Sequence, residues 1–194
     1  MIEQDVDMDA LAFTANPHVV LVTLGVCTCI AFVIQGTYWD EELDEQISFC
    51  GLYHWSGFDV SNTPHDEQTQ NAFNYFLDEL RHSFALAKDS PVEIKNLQFI
   101  GGEKNIYNDN NELTFTATEA EVNSLIQTVQ AYDFKKNYFN LDPSMIKHQH
   151  FLTSGDQSIQ LELTTDQCKY TIDEGDNDLE NTDTIDAIER FKWY

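Results

Sequence analysis

The sequence predicts an α+β fold in which mixed, mostly antiparallel β-sheets, stacked like a sandwich, are flanked by two long helices. Three observations carry this expectation. Short apolar segments recur at close intervals from residue 19 to residue 172, many of them β-branched and several alternating with polar residues, as paired strands require. Only two long stretches, opening near Pro64 and Thr118, show the three-and-four spacing of an amphipathic helix. No Gly-rich phosphate loop opens either helix, which argues against a doubly wound nucleotide-binding sheet.

In chain order, residues 1–16 read as an acidic N-terminal extension without the Lys or Arg of a secretory signal. Residues 19–34 run for 16 positions without a charge, short of the roughly 20 that a membrane span needs. They contain Thr23, Gly25 and Thr28, so two buried strands, 19–24 and 29–34, joined at Gly25, explain the run better than a span. A third strand covers 47–53 after an acidic connection at 40–45. Thr63-Pro64-His65-Asp66 offers an N-cap residue, a Pro at the first helical position and an acid at the positive end of the dipole. The helix it opens carries Phe73, Phe76, Leu77, Leu80 and Phe84 on one face, to about Leu86.

Strands at 92–100 and 112–116 precede a second helix, which opens on the capping box Thr118-Glu119-Ala120-Glu121 and buries Val122, Leu125, Ile126 and Val129. Ile159, Leu161 and Leu163, then Tyr170 and Ile172, alternate as antiparallel strands, with a turn at Ser154-Gly155-Asp156. Residues 173–194 read as an acidic loop followed by a short helix that turns Ile185, Ile188 and Phe191 inward.

No repeat or Pro, Gly or Ser-rich linker divides the 194 residues, so one domain is expected. Ten Lys and Arg against 34 Asp and Glu give a formal charge of −24. Such a field repels phosphate backbones and anionic membranes, which excludes nucleic acid as an expected partner and favours basic protein surfaces. With no export signal read, the default location is cytoplasmic with reduced thiols, and delivery as a secreted effector stays open.

Thr23-Leu24-Gly25-Val26-Cys27-Thr28-Cys29 places two thiols and two hydroxyls at a bend between apolar strands. In an extended segment Cys27 and Cys29 share a face, so either thiol qualifies as a nucleophile. A thiol nucleophile needs a base within hydrogen-bond reach. His54, at the end of strand 47–53 and between Tyr53 and Trp55, is the best candidate, since antiparallel pairing brings it opposite Cys29. Against this stand two other readings: four zinc ligands from Cys27, Cys29, Cys50 and His54, at a spacing unlike that of structural zinc, and ordinary buried thiols. His148 and His150 form an alternate-residue pair with no third ligand in sequence.

Thr23 to Phe32 resembles the active-site segment T-L-G-x-G-S/T-C of the CheD-type chemoreceptor glutamine deamidases, with Cys27 in place of the second glycine and Cys29 on the catalytic cysteine. Cys50-Gly51-Leu52-Tyr53-His54 is similar to that family's glycine-led strand ending in the catalytic His, and Phe99-Ile100-Gly101-Gly102 to its F-G-G segment. The resemblance implies a CheD-like fold, also shared by deamidase toxins, and a cofactor-free hydrolase acting on glutamine side chains of a chemoreceptor or host protein. It further implies Cys29 as nucleophile, His54 as base, Thr23 as third member, and Gly25, Cys27 and Thr28 around the oxyanion and substrate. The alternative is a non-catalytic acidic protein on the same fold that grips a basic partner.

Overall fold

The computed structural model describes residues 1–57, 63–149, 157–174 and 185–186. In chain order its strands and helices are β1 (Ile2–Asp5), β2 (Leu11–Thr14), β3 (Val19–Val26), β4 (Ile30–Asp40), β5 (Glu45–Trp55), α1 (His65–Ser83), β6 (Val92–Gly101), β7 (Ile106–Tyr107), β8 (Leu113–Phe115), α2 (Glu119–Ala131), β9 (Phe139–Leu141), β10 (Ile146–Gln149), β11 (Gln157–Leu163), β12 (Cys168–Glu174) and β13 (Ile185–Asp186). The α+β class with mixed sheets and two long helices is the one expected.

Three layers result. A six-stranded sheet, with β10, β6, β4, β5 and β2 in order and β9 also on β6, has α1 and α2 on one face and a five-stranded sheet on the other. That second sheet runs β1, β3, β11, β12, β13, while β7 and β8 form a separate two-stranded ribbon. The alternation of β4 explains the layering. Ile30, Phe32 and Ile34 point to the helices, whereas Cys29, Ala31 and Val33 point to the other sheet. Phe32 meets Tyr53, Trp55, Phe76 and Phe99 at ring-centroid separations of 5.0 to 5.7 Å. The predicted helical stripe of α1 closes this core with Phe73, Phe76, Leu77 and Leu80, and α2 adds Val122, Leu125 and Val129.

Several expectations are corrected. Residues 1–16 are not an extension: β1 pairs in parallel with β3, and β2 pairs antiparallel with β5, so the first fourteen residues touch both sheets. β3 and β4 do not form one hairpin joined at Gly25. They belong to different sheets, and the crossing is made by the turn Cys27-Thr28-Cys29. Gly25 lies inside β3, where Ile159 faces Val26 and Leu161 faces Thr23, so β3 carries one extra residue against β11. Its φ of +69° is the left-handed backbone that such a bulge needs and that glycine adopts without strain. The acidic stretch 40–45 is the tip of a long hairpin, Asp40 pairing with Glu45.

α1 begins at His65 with Pro64 as its cap and ends at Ser83, and Thr63 contributes its carbonyl to Gln68 rather than a side-chain cap. Asp173 and Glu174, expected to open an acidic loop, are instead the last two residues of β12. Ile185–Asp186 pairs with β12 as a strand rather than opening a helix. Ile188, Phe191, His150 and the turn at 154–156 lie outside the described residues.

Candidate active site

The crossing turn and the end of β5 meet at one end of the sandwich. Leu21 and Thr23 of β3 and Leu52 and His54 of β5 face the layer between the sheets, because residues two apart on a strand share a side. Thr23 Oγ1 and His54 Nδ1 therefore meet across that layer at 2.7 Å, and the same hydroxyl donates to the Val6 carbonyl at 2.7 Å. One hydroxyl proton cannot serve two acceptors. Since Val6 takes it, Nδ1 carries the ring proton and donates to Thr23, which leaves Nε2 as the bare, basic nitrogen. Nε2 is buried without a partner, in a side chain only 4% exposed.

The segment just after β1 covers this histidine. Asp9 N–H donates to the His54 carbonyl at 2.6 Å, His54 N–H to Ala10 at 3.0 Å, and Ser56 N–H to Asp9 Oδ1 at 2.9 Å. Val6, 3% exposed, is packed beneath it. A pocket of about 330 Å³ opens beside the ring, walled by Val6, Met8, Thr23, Leu24, Gly25 and His54. Sequence reasoning missed this wall because β1 has four exposed side chains and therefore no alternating apolar signal.

Cys29 lies on the same inter-sheet face. Ala31 pairs with His54, so Cys29 sits diagonally across, an offset of roughly 7–8 Å for such pairs. It is 6% exposed, does not wall the pocket, and makes no hydrogen bond to His54. Burial, Cys27 and Asp9 push its thiol up to about 11, against which the Thr28 hydroxyl and its own backbone N–H act to lower it. Burial likewise holds the His54 imidazole below its usual range, although Asp9 and Asp7 pull the other way. Both shifts favour a neutral thiol beside a neutral imidazole. Both therefore disfavour the ion pair expected from sequence.

The turn itself is anchored from behind. Thr118 Oγ1 donates to the Thr28 carbonyl at 2.5 Å, and Gly102 N–H donates to the Cys29 carbonyl at 2.7 Å. Because C=O and N–H point oppositely in a trans peptide, the N–H of Cys29 faces away from Thr118. Thr118 was expected to cap α2 with its side chain. It makes no such cap bond and instead accepts from Glu103 N–H at 3.1 Å while holding the turn. Gly101, at φ +108°, leaves no room for a Cβ, which would lie 2.5 Å from the Cys29 carbonyl oxygen.

Cys27 is half-buried in the turn rather than on an extended strand, so the shared face expected for Cys27 and Cys29 does not arise. Burial and the nearby Glu103 carboxyl push its thiol up. The zinc reading fails on distance: Cys50 and His54 are four residues apart on one strand, about 13 Å at the rise of extended chain. Among the described residues no group of three or more His, Cys, Asp or Glu converges as metal ligands. His148 stacks on Phe99 with centroids 5.0 Å apart, and burial lowers it to about 4.

No helix among the described residues is long and apolar enough to cross a membrane. The chain matches no family model and no curated protein sequence.

Proposed function

We propose that this protein is a cysteine hydrolase that deamidates glutamine side chains of a protein substrate, with Cys29 as nucleophile, His54 as general base and Thr23 as the residue that orients it. The observation that carries the reading is the hydrogen bonding of His54: Nδ1 meets Thr23, whose hydroxyl donates to Val6, and Nε2 is buried without a partner on the face that Cys29 shares. A buried base with no partner is destabilising unless a function retains it.

The chemistry follows from those positions. When the substrate enters from the pocket side, the Cys29 sulfur swings to Nε2 and transfers its proton as it attacks the carboxamide carbon. The N–H of Cys29 and the Thr28 hydroxyl face the developing oxyanion. The imidazolium returns that proton to the nitrogen, the C–N bond breaks, and ammonia leaves a thioester. His54 then takes a proton from water, whose oxygen attacks the thioester; the C–S bond breaks, glutamate leaves and the Cys29 sulfur takes the proton back from His54. No metal or organic cofactor enters any step.

The test is ammonia release and the roughly one-dalton mass gain on an unfolded glutamine-rich polypeptide. Cys29→Ala and His54→Ala are each expected to lower the rate by about 10³-fold or more while the fold is retained. Unaltered rates in both variants would remove Cys29 and His54 from the mechanism. The second reading, a non-catalytic protein binding a basic partner, draws support from the raised Cys29 thiol and the −24 charge. It predicts no ammonia from the unaltered protein, and binding to a cationic polypeptide that falls steeply with salt and is unchanged in Cys29→Ala.

A further inference from the structure

Three buried side-chain atoms among the described residues have no hydrogen-bond partner: His54 Nε2, Glu103 Oε1 and Glu121 Oε2. Two of them flank the Cys27-Thr28-Cys29 turn: His54 pairs with Ala31, just past the turn, and the Glu103 carboxyl acts on the Cys27 thiol. β4 runs between β5 and β6, so His54 approaches the turn from one flank and Glu103, two residues beyond β6, from the other. Glu121 lies in the first turn of α2, and its other oxygen pairs with His65 Nδ1 at 2.6 Å. Among the described residues no cation pairs with the Glu103 carboxyl.

Glu103 is 2% exposed and rigidly mounted. Its N–H is bound by Thr118, the same hydroxyl that holds the Thr28 carbonyl, and the adjacent Gly102 N–H holds the Cys29 carbonyl. A buried carboxyl oxygen with an empty acceptor position costs several kcal/mol unless something satisfies it. Resting on the hydrolase reading, we propose that Glu103 is the specificity residue of the site, its carboxylate accepting an N–H of the substrate's primary carboxamide beside Cys27.

The choice of ligand follows from burial. An ammonium or guanidinium would have to be stripped of water to meet a carboxyl this buried, whereas a neutral amide loses far less hydration. A carboxylate acceptor also separates substrate from product. The amide offers two N–H donors, while the acid formed from it offers none and carries a like charge. Glutamine is held and glutamate is expelled by the same group. A site that binds a donor rejects the analogue lacking it by far more than shape alone achieves.

The experiment compares alkylation of Cys27 by iodoacetamide, a neutral primary amide, and iodoacetate, its anionic counterpart. It is read by site-resolved mass spectrometry at about 1 M salt, where the general surface field is screened. The folded protein is expected to favour iodoacetamide over iodoacetate about tenfold more than the same chain unfolded in denaturant, and Glu103→Gln to abolish most of that preference. Glu103→Asp, which keeps the charge, should retain it. Equal ratios in the folded and unfolded chain, or an unchanged ratio in a folded Glu103→Gln, would overturn the proposal.

Kinetics separate this inference from the reading beneath it. If the unaltered protein deamidates, Glu103→Gln should lower kcat/KM by about 10²-fold and tighten inhibition by the glutamate-containing product. Activity that persists unchanged in that variant overturns the role of Glu103 and leaves the hydrolase standing. A selective alkylation ratio in a protein that releases no ammonia overturns the hydrolase and leaves the acceptor site.

Discussion

The two faces of the six-stranded sheet are made from alternate residues of the same strands, yet they do different work. Toward the helices lie Ile30, Phe32, Ile34, Phe49, Tyr53 and Trp55, interlocked with Phe73 and Phe76. Toward the second sheet lie Cys29, Ala31, Val33, Cys50 and Leu52, with Thr23 and His54 at one end. The first face fills space with large rings that define a rigid base. The second uses small side chains, so the sheets approach closely enough for a hydroxyl of one to fix the imidazole of the other. Stability and candidate chemistry are thus segregated by strand parity.

This segregation makes a firm demand. Phe76→Ala on the helix face is expected to destabilise the fold by about 3–5 kcal/mol in denaturant unfolding, while activity per folded molecule stays within about twofold. Equal loss of activity and stability would mean that the faces are not independent. On the other face, Thr23→Val removes a hydroxyl but keeps the shape, leaving the Val6 carbonyl and His54 Nδ1–H unsatisfied. The expected cost is about 2 kcal/mol in stability, with turnover falling about 10-fold to 10²-fold. The sharper readout is the ¹⁵N spectrum of the imidazole, which should show a single Nδ1–H tautomer in the unaltered protein and a mixture in the variant.

The smallest expected effect concerns protons. His148 and His54 both have folded pKa values below the ordinary 6.5, His148 at about 4. The unfolded chain therefore binds protons that the folded chain refuses, and the stability these residues contribute is complete above pH 6.5 and is lost as pH falls toward 4. Stability measured by urea unfolding should decline across that window. His148→Phe, which keeps the stack on Phe99, should flatten the slope by roughly 1–2 kcal/mol, after discounting for partial exposure. An identical slope in the variant would show that His148 is not the group responsible.

Much of the helix face was legible because its signals are local. Phe73, Phe76, Leu77 and Leu80 repeat at helical spacing, and Thr118 correctly marks the start of α2. Thr23 was legible as a partner of His54 only through the resemblance of its segment to the CheD-type motif. What escaped was non-local. β1 is docked by its backbone and exposes every side chain, so no pattern announces it. The bulge at Gly25 shifts β3 by one residue, and with it the chain leaves one sheet for the other, which a count of apolar residues cannot register. Glu103 reads as an ordinary acid after two glycines. Its burial depends on Thr118, fifteen residues away, having exchanged a capping bond for one to the turn.

The bond from Thr118 to Thr28 spans 90 residues, and the one from Thr23 to His54 spans 31. During synthesis the thiol and the imidazole leave the ribosome long before the hydroxyl that anchors their turn. A half-made chain therefore displays both groups on an unanchored turn, and the anchored arrangement arrives only with the second helix.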